Sequence, residues 1–183
     1  MIPAKWEWER TKVICVFATF GVISEKIDIT RKIIKETNSE LDLPFEVLNG
    51  NTEKQNDLQY IEALLAESII KINNIDFGKL TINLRSLREK GLLLYAIIIL
   101  VDSQKYVFHN PPDVKKEPAI YGQATAEGLI VIRDQYISEA TIHEYGHMAG
   151  QEHCGKQCVM GYICKYPKFC PDCTEYIKNN LEY

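Results

Sequence analysis

Three histidines and a glutamate stand close together near the carboxyl end of the chain, in the segment HEYGHMAGQEH at residues 143–153. Residues four apart on an α-helix lie on one face, so His143 and His147 can bind a common metal ion. Gly150 can adopt the left-handed conformation, which would end the helix and bring His153 round as a third ligand. Three protein ligands leave one tetrahedral position open for water, which is the arrangement of a catalytic zinc site.

The residue after the first histidine, Glu144, is placed to act as a general base. Its carboxylate can reach a zinc-bound water without ligating the metal. Zinc lowers the pKa of such a water from about 15.7 to about 7. Glu144 would take a proton as that water attacks a peptide carbonyl, and would then pass it to the leaving amine. The pattern therefore predicts a zinc-dependent metallopeptidase.

Cysteines form a second cluster directly after the histidines. The chain has 6 cysteines, and all except Cys15 lie in residues 154–173. The amino-terminal residues lack the apolar core of a signal peptide, so the clustering favours thiolate metal ligands over a disulfide framework. Cys15 stands alone in an apolar run and is expected in the core.

The elongated histidine motif is that of the metzincins, a clan of zinc-dependent endopeptidases. A cysteine directly after the third histidine, a Cys-x-Met sequence and a later Cys-x-x-Cys pair together resemble the archaemetzincins within that clan. The resemblance covers residues 143–173 closely and the upstream half only in outline. It implies that Met160 lies in a tight turn below the metal, and that Tyr162 could be an oxyanion donor or a fifth ligand, although a packed turn tyrosine is also consistent with the sequence.

The resemblance also implies two zinc ions per chain, one catalytic and one structural. By position, the structural zinc would be held by Cys154, Cys158, Cys170 and Cys173. The loop before the Cys-x-x-Cys pair is shorter here than in the family and contains an additional cysteine, Cys164. Cys164 could replace Cys158 as a ligand, or it could be a spare thiol.

The upstream sequence predicts an α/β fold. Apolar runs at residues 12–20, 45–48 and 93–101 are typical of buried strands, and helical periodicity at residues 23–36 and 57–73 predicts helices between them. Short strands at residues 120–126 and 129–132 are consistent with a hairpin whose first strand lies antiparallel at the sheet edge. We therefore expect a metzincin-like, mixed, mostly parallel twisted sheet with an antiparallel edge strand and helices packed on it.

Two subdomains of one catalytic domain are expected. Residues 1–150 would form an α/β subdomain that ends in the active-site helix, which begins near residue 136 or 138. Residues 151–183 would form a small zinc-stapled subdomain with the third histidine, the methionine turn and the Cys₄ site. A segment this short cannot fold on apolar burial alone, so a metal staple is physically reasonable.

Composition narrows the expected partners and location. The 183 residues carry a net charge of −4 without a basic cluster, which disfavours nucleic-acid binding. The longest apolar run, at residues 92–101, is about half the length that crosses a bilayer. These features predict a cytoplasmic protein that acts on a peptide or protein substrate without binding a membrane. His109 is interpreted as a solvated loop residue.

Two other functions fit parts of the sequence. An aminopeptidase would need a group that holds a free amino terminus, and no residue identifies itself for that role. A non-catalytic, zinc-stabilised binding domain would have no need of Glu144. The edge strand could hold an extended substrate or could bind nothing. The sequence does not determine the oligomeric state.

Overall fold

The computed structural model describes residues 11–71, 74–108, 122–125, 127–135, 137–161 and 166–181. The strands in these ranges are β1 (Val13–Ala18), β2 (Glu46–Asn49), β3 (Ile69–Lys71), β4 (Asn74–Ile75), β5 (Ala96–Val101), β6 (Val107–Phe108), β7 (Gly122–Thr125) and β8 (Leu129–Arg133). The helices are α1 (Ser24–Leu41), α2 (Gly50–Glu53), α3 (Gln55–Glu67), α4 (Phe77–Glu89), α5 (Ile137–Met148) and α6 (Pro171–Leu181).

The main sheet has the strand order β2-β1-β5-β8-β7. The first four of these strands are parallel, and β7 runs antiparallel to β8 at the edge. All six residues of β5 are buried, because this strand lies at the centre of a sheet that is covered on both faces. The predicted mixed, mostly parallel sheet with an antiparallel edge strand is confirmed.

Helices cover both faces of this sheet. Helices α1, α5 and α6 pack on one face, where Ile34, Tyr145 and Ile177 are fully buried. Helices α3 and α4 cover the other face with residues such as Ile61 and Leu84. Because α5 buries one side against the sheet and α1, its polar side is free to carry functional groups.

The start of α5 is held by a partly buried carboxylate. Asp134, which follows β8, accepts hydrogen bonds from the Ser103 backbone N–H at 3.0 Å and from Lys26 Nζ at 2.6 Å. Ser103 follows β5 and Lys26 lies in the first turn of α1. This contact ties together the ends of two parallel strands and the beginnings of two helices on one face.

One predicted helix is too long. The helix predicted for residues 57–73 ends at Glu67, and Ile69–Lys71 form β3, which pairs with β4. The Ser68 hydroxyl donates back to the Leu64 carbonyl at 2.7 Å, at the end of α3, and the following β-branched pair favours extended backbone. Residues 72 and 73 lie outside the described residues. Strands β3, β4 and β6 form a separate small sheet.

Helix α4 was absent from the sequence prediction. It begins after Asp76, whose side chain accepts a hydrogen bond from the Lys79 N–H at 3.0 Å as an N-cap. Among the described residues, the structure has no helix that is long and apolar enough to cross a membrane.

Candidate metal centres

The end of helix α5 brings the three histidines together. The helix carries His143 and His147 one turn apart, and the chain then turns at Gly150, which has φ of 79°. A left-handed backbone of this kind suits glycine and is a common helix terminator. The Gly150 N–H donates to the His147 carbonyl at 2.9 Å, and after this turn His153 reaches the side of the two helical histidines.

The three imidazole rings converge through their Nε2 atoms. The Nε2 atom of His143 lies 3.0 Å from that of His147 and 3.2 Å from that of His153. Nitrogens bound to one tetrahedral zinc at 2.0–2.1 Å are separated by about 3.3–3.4 Å. The donor set therefore has the type and spacing that fit zinc. His153 is exposed, so the group opens to solvent on that side.

Backbone carbonyls orient the two helical histidines. The Nδ1 atom lies 2.7 Å from the Val159 carbonyl oxygen in His143, and 2.8 Å from the Gln151 carbonyl oxygen in His147. A carbonyl can only accept, so each Nδ1 carries the proton and each Nε2 keeps its lone pair. Two lone pairs that face one another at 3.0 Å repel unless a cation lies between them. A carbonyl that accepts a hydrogen bond from the ring nitrogen not facing the metal is typical of metal-binding histidines.

Burial keeps these two histidines neutral. It is the main cause that lowers the pKa of His147 to about 4, with a further contribution from the neighbouring His143. Burial also lowers the pKa of His143, against the opposing effect of its bond to Val159. Since a metal binds only neutral imidazole, protons compete weakly for these two rings at neutral pH.

Glu144 follows His143 in helix α5 and is not one of the grouped ligands. Its side chain is only 6% exposed, and burial raises the pKa of its carboxyl to about 8. A cation held by the histidines would act in the opposite direction.

Met160 lies beneath helix α5. It is fully buried, and its Sδ atom would be 2.5 Å from a Cβ added at Gly146 of the helix. The residues on either side of Met160 hold this part of the chain under the two helical ligands. The carbonyl of Val159 contacts His143, and Gly161 forms a β-bridge with Cys154. The role expected for Met160 from the methionine turn stays a prediction.

Four cysteines form a second group of potential ligands. Cys154, Cys158, Cys170 and Cys173 are free thiols. The Sγ–Sγ distances are 3.2 Å from Cys154 to Cys158, 3.4 Å from Cys170 to Cys173, and 3.9 Å from Cys158 to Cys173. Four sulfurs at about 2.3 Å from a tetrahedral zinc would be about 3.8 Å apart. The group fits one zinc and leaves no open position.

The pKa values of the Cys158 and Cys173 thiols are shifted in opposite directions. Burial acts to raise the pKa of Cys158, but hydrogen bonds from Cys154 and from the backbone of Cys170 and Met160 outweigh it and lower the pKa to about 7. Burial and the neighbouring thiols raise the pKa of Cys173. The Cys158 thiolate is thus stabilised by the hydrogen-bond donors around it. Ionisation of the neighbouring thiols as well requires a cation bound between the sulfur atoms.

Some predicted residues lie outside the described residues, namely Tyr162, Cys164 and His109. Cys158 belongs to the cysteine group in the structure, and the alternative ligand Cys164 falls in the segment that is not described. The division at residue 150 stays a prediction.

Sequence reasoning missed the groups that support the ligands. The carbonyls of Val159 and Gln151 carry no side-chain signal, so the sequence could not reveal them. Gly122 is the first described residue of β7, and a Cβ added there would lie 2.6 Å from Glu144 Cγ. A glycine within the short strand predicted at residues 120–126 was the available signal, because glycine in a strand marks a close approach of other groups.

Comparisons with known proteins agree with this arrangement at the level of the fold. No protein-family model matches the sequence, and no curated protein matches it. A crystal structure of archaemetzincin from Methanopyrus kandleri matches with a TM-score of 0.61, over 94% of this chain and 97% of that chain, at 20% sequence identity. The chain therefore has an archaemetzincin-like fold, and its described residues include a histidine group and a cysteine group that could each hold a metal ion.

Proposed function

We propose that this chain is a zinc-dependent metallopeptidase that hydrolyses peptide bonds, with Glu144 as the general base. The observation that carries the proposal is the convergence of three Nε2 atoms, with those of His147 and His153 within 3.2 Å of that of His143, together with a buried carboxyl at the next residue, Glu144, that is not one of the grouped ligands. A purely structural zinc site has four protein ligands and no need of a base. The shared fold with archaemetzincin supports the same proposal.

The chain's own residues would divide the reaction between binding and proton transfer. His143, His147 and His153 would hold the metal, with the first two fixed in orientation by their carbonyl partners. Zinc, when bound, supplies Lewis acidity that polarises a carbonyl and acidifies water. The Glu144 carboxylate would accept a proton from the attacking water at one oxygen and deliver it to the leaving nitrogen.

Strand β7 would hold the substrate. Within the part of the chain that the structure describes, β7 pairs only with β8, so its other edge is open. An extended peptide can add to such an edge through main-chain hydrogen bonds. Gly122 in this strand packs against Glu144, so a peptide on the edge would lie next to the base. We therefore propose a peptide or protein substrate in extended conformation.

The four cysteines would hold a second, structural zinc. Their donor set has no open position, and two of the four directly adjoin the histidine site: Cys154 follows His153, and Cys158 precedes Val159, whose carbonyl contacts His143. Structural zinc sites contribute folding free energy directly. This second ion would fix the carboxyl-terminal segment against α5.

The experiment compares wild type, Glu144→Gln and Glu152→Gln for zinc content and for turnover of a mixed peptide library. Glu152 is exposed and lies in the same motif, so its variant is the matched control. We expect two zinc ions per chain in all three proteins, with cleavage by wild type and Glu152→Gln and none by Glu144→Gln. Zinc binding without any cleavage by wild type would favour the non-catalytic domain and contradict the proposal.

Peptides with a blocked amino terminus separate the two kinds of peptidase. We propose endopeptidase action, because an open strand edge binds the peptide backbone and needs no free terminus. Equal cleavage of blocked and unblocked peptides is the expected result. Cleavage of the unblocked peptides alone would identify an aminopeptidase.

A further inference from the structure

Gly122 lies directly against the side chain of Glu144. A Cβ built on Gly122 would be 2.6 Å from Glu144 Cγ, 3.0 Å from Oε1 and 3.1 Å from Cδ. Carbon atoms in favourable contact are about 3.5–4.0 Å apart. Any side chain at residue 122 would therefore overlap the place that the Glu144 side chain occupies.

Strand β7 cannot move away from this contact without losing its pairing. Gly122 pairs with Ile132, and the register continues to the pair of Thr125 with Leu129. Ala124, the next residue on the same face of the sheet, packs against the hydrophobic core that contains Ile34 and Tyr145. The two β7 residues that face helix α5 are thus the two smallest residue types, which lets strand and helix approach closely.

Helix α5 is also held in place at the two residues that follow Glu144. The Tyr145 hydroxyl donates to Asn38 Oδ1 on α1 at 2.7 Å, in a fully buried position. Gly146 rests on the buried Met160. Because neither the strand nor the helix backbone is free to shift, an added side chain at residue 122 would displace the Glu144 side chain itself.

We propose that Gly122 is a positioning residue for Glu144: its missing side chain provides the space that fixes the rotamer of the catalytic carboxylate. The catalytic part of this inference rests on the proposed function. A misplacement of about 1 Å in a catalytic group can cost about 100-fold in rate. Gly122→Ala should therefore lower kcat by about 10- to 100-fold, with little change in KM and in zinc content.

The test is a double-mutant cycle of Gly122→Ala and Glu144→Ala, read by kinetics, zinc content and Tm. Gly122→Ala should lower Tm by a few degrees in the wild-type background. In the Glu144→Ala background the atoms that the new methyl group meets are gone, so the Tm loss should disappear. This second measurement needs no turnover.

Gly50→Ala is the matched control. A Cβ on Gly50 would overlap the Phe17 ring, so this variant is also overpacked, but Gly50 lies at the opposite edge of the sheet, after β2. It should lower Tm in both backgrounds alike and leave kcat unchanged. A loss of kcat in this variant as large as in Gly122→Ala would overturn the inference, since it would reflect general destabilisation.

The remaining outcomes are distinct. Wild-type kcat in Gly122→Ala, or an equal Tm loss in both backgrounds, overturns the positioning role while the proposed function stands. No cleavage by wild type overturns the proposed function together with the catalytic role of Gly122. If the single variant Gly122→Ala does not fold, the double variant Gly122→Ala/Glu144→Ala decides the question. A folded double variant supports the contact, and a double variant that also fails to fold overturns it.

Discussion

The Nδ1 atom of His143 lies 2.7 Å from the carbonyl oxygen of Val159, the residue that directly follows Cys158. The histidine group and the cysteine group therefore share one short segment. At its other end, Cys154 follows His153 directly in the chain. A metal held by the cysteines would fix both the carbonyl that orients the first histidine and the position of the third.

The first prediction is that Cys158→Ser weakens metal binding at the histidines as well as at the cysteines. Loss of one sulfur opens the cluster and frees the Val159 carbonyl, and loss of such an outer contact costs about 10- to 100-fold in metal affinity. The measurement is zinc retained per chain during dialysis against increasing chelator. Cys15→Ala, in the core at 0% exposure, is the control and should retain both ions. Unchanged affinity of the histidine site in Cys158→Ser would contradict the coupling.

The histidine site could be predicted because its information is local. The spacing of His143 and His147 fixes one helix face, and Gly150 supplies the turn that returns His153. The edge strand followed from two short strand-like segments on either side of Glu127 and Gly128. These features depend on residues that are close in the chain, so propensity and periodicity are sufficient to find them.

Other features depend on contacts that the sequence does not encode locally. Nothing in the identity of Val159 indicates that its carbonyl orients a histidine. Gly122 meets Glu144 only because β7 pairs antiparallel with β8 beside α5. By contrast, helix α4 had a local signal that was overlooked: Asp76 as an N-cap, followed by the buried Leu80 and Leu84 one turn apart.

The second prediction concerns the bond between Tyr145 and Asn38. Tyr145→Phe removes the buried hydroxyl that donates a hydrogen bond to Asn38 Oδ1. Loss of this bond costs about 1–3 kcal/mol of unfolding free energy. Urea denaturation measures this loss. Tyr60→Phe is the control, because Tyr60 is 60% exposed and its variant should unfold at the wild-type urea concentration. A wild-type midpoint in Tyr145→Phe would show that the bond does not stabilise α5.

The third prediction is a pH dependence of stability at Asp134. Burial acts to raise the pKa of this carboxyl, but hydrogen bonds from Lys26 and Ser103 outweigh it, so the folded pKa lies below the ordinary value. The resulting stability is fully present above the unfolded pKa of about 3.9 and is lost as the pH falls through the folded value. Asp134→Asn should therefore be less stable than wild type at pH 7, and the difference should shrink below about pH 4.

The check is chemical denaturation of both proteins across that pH range. Asp28→Asn is the matched control, because the Asp28 side chain is 67% exposed in a surface pair with Arg31 and contributes little. A difference between Asp134→Asn and wild type that stays constant from pH 7 to pH 3 would rule out ionisation of Asp134 as its cause.

The last prediction concerns Gly146, the residue at which helix α5 packs against Met160. Alanine in a helix interior is usually more stable than glycine by about 1 kcal/mol. Here a Cβ would lie 2.5 Å from Met160 Sδ and 3.0 Å from Phe169 Cε1, and overpacking of this kind costs about 1–3 kcal/mol. Since Met160 is fully buried, its side chain must repack within the core to admit the methyl group, and Gly146→Ala should lower Tm instead of raising it. Adding Met160→Ala makes room for the methyl group, so Gly146→Ala should then raise Tm relative to Met160→Ala alone. A higher Tm for Gly146→Ala in the wild-type background would mean that the methionine yields, and that its fit under the helix is loose.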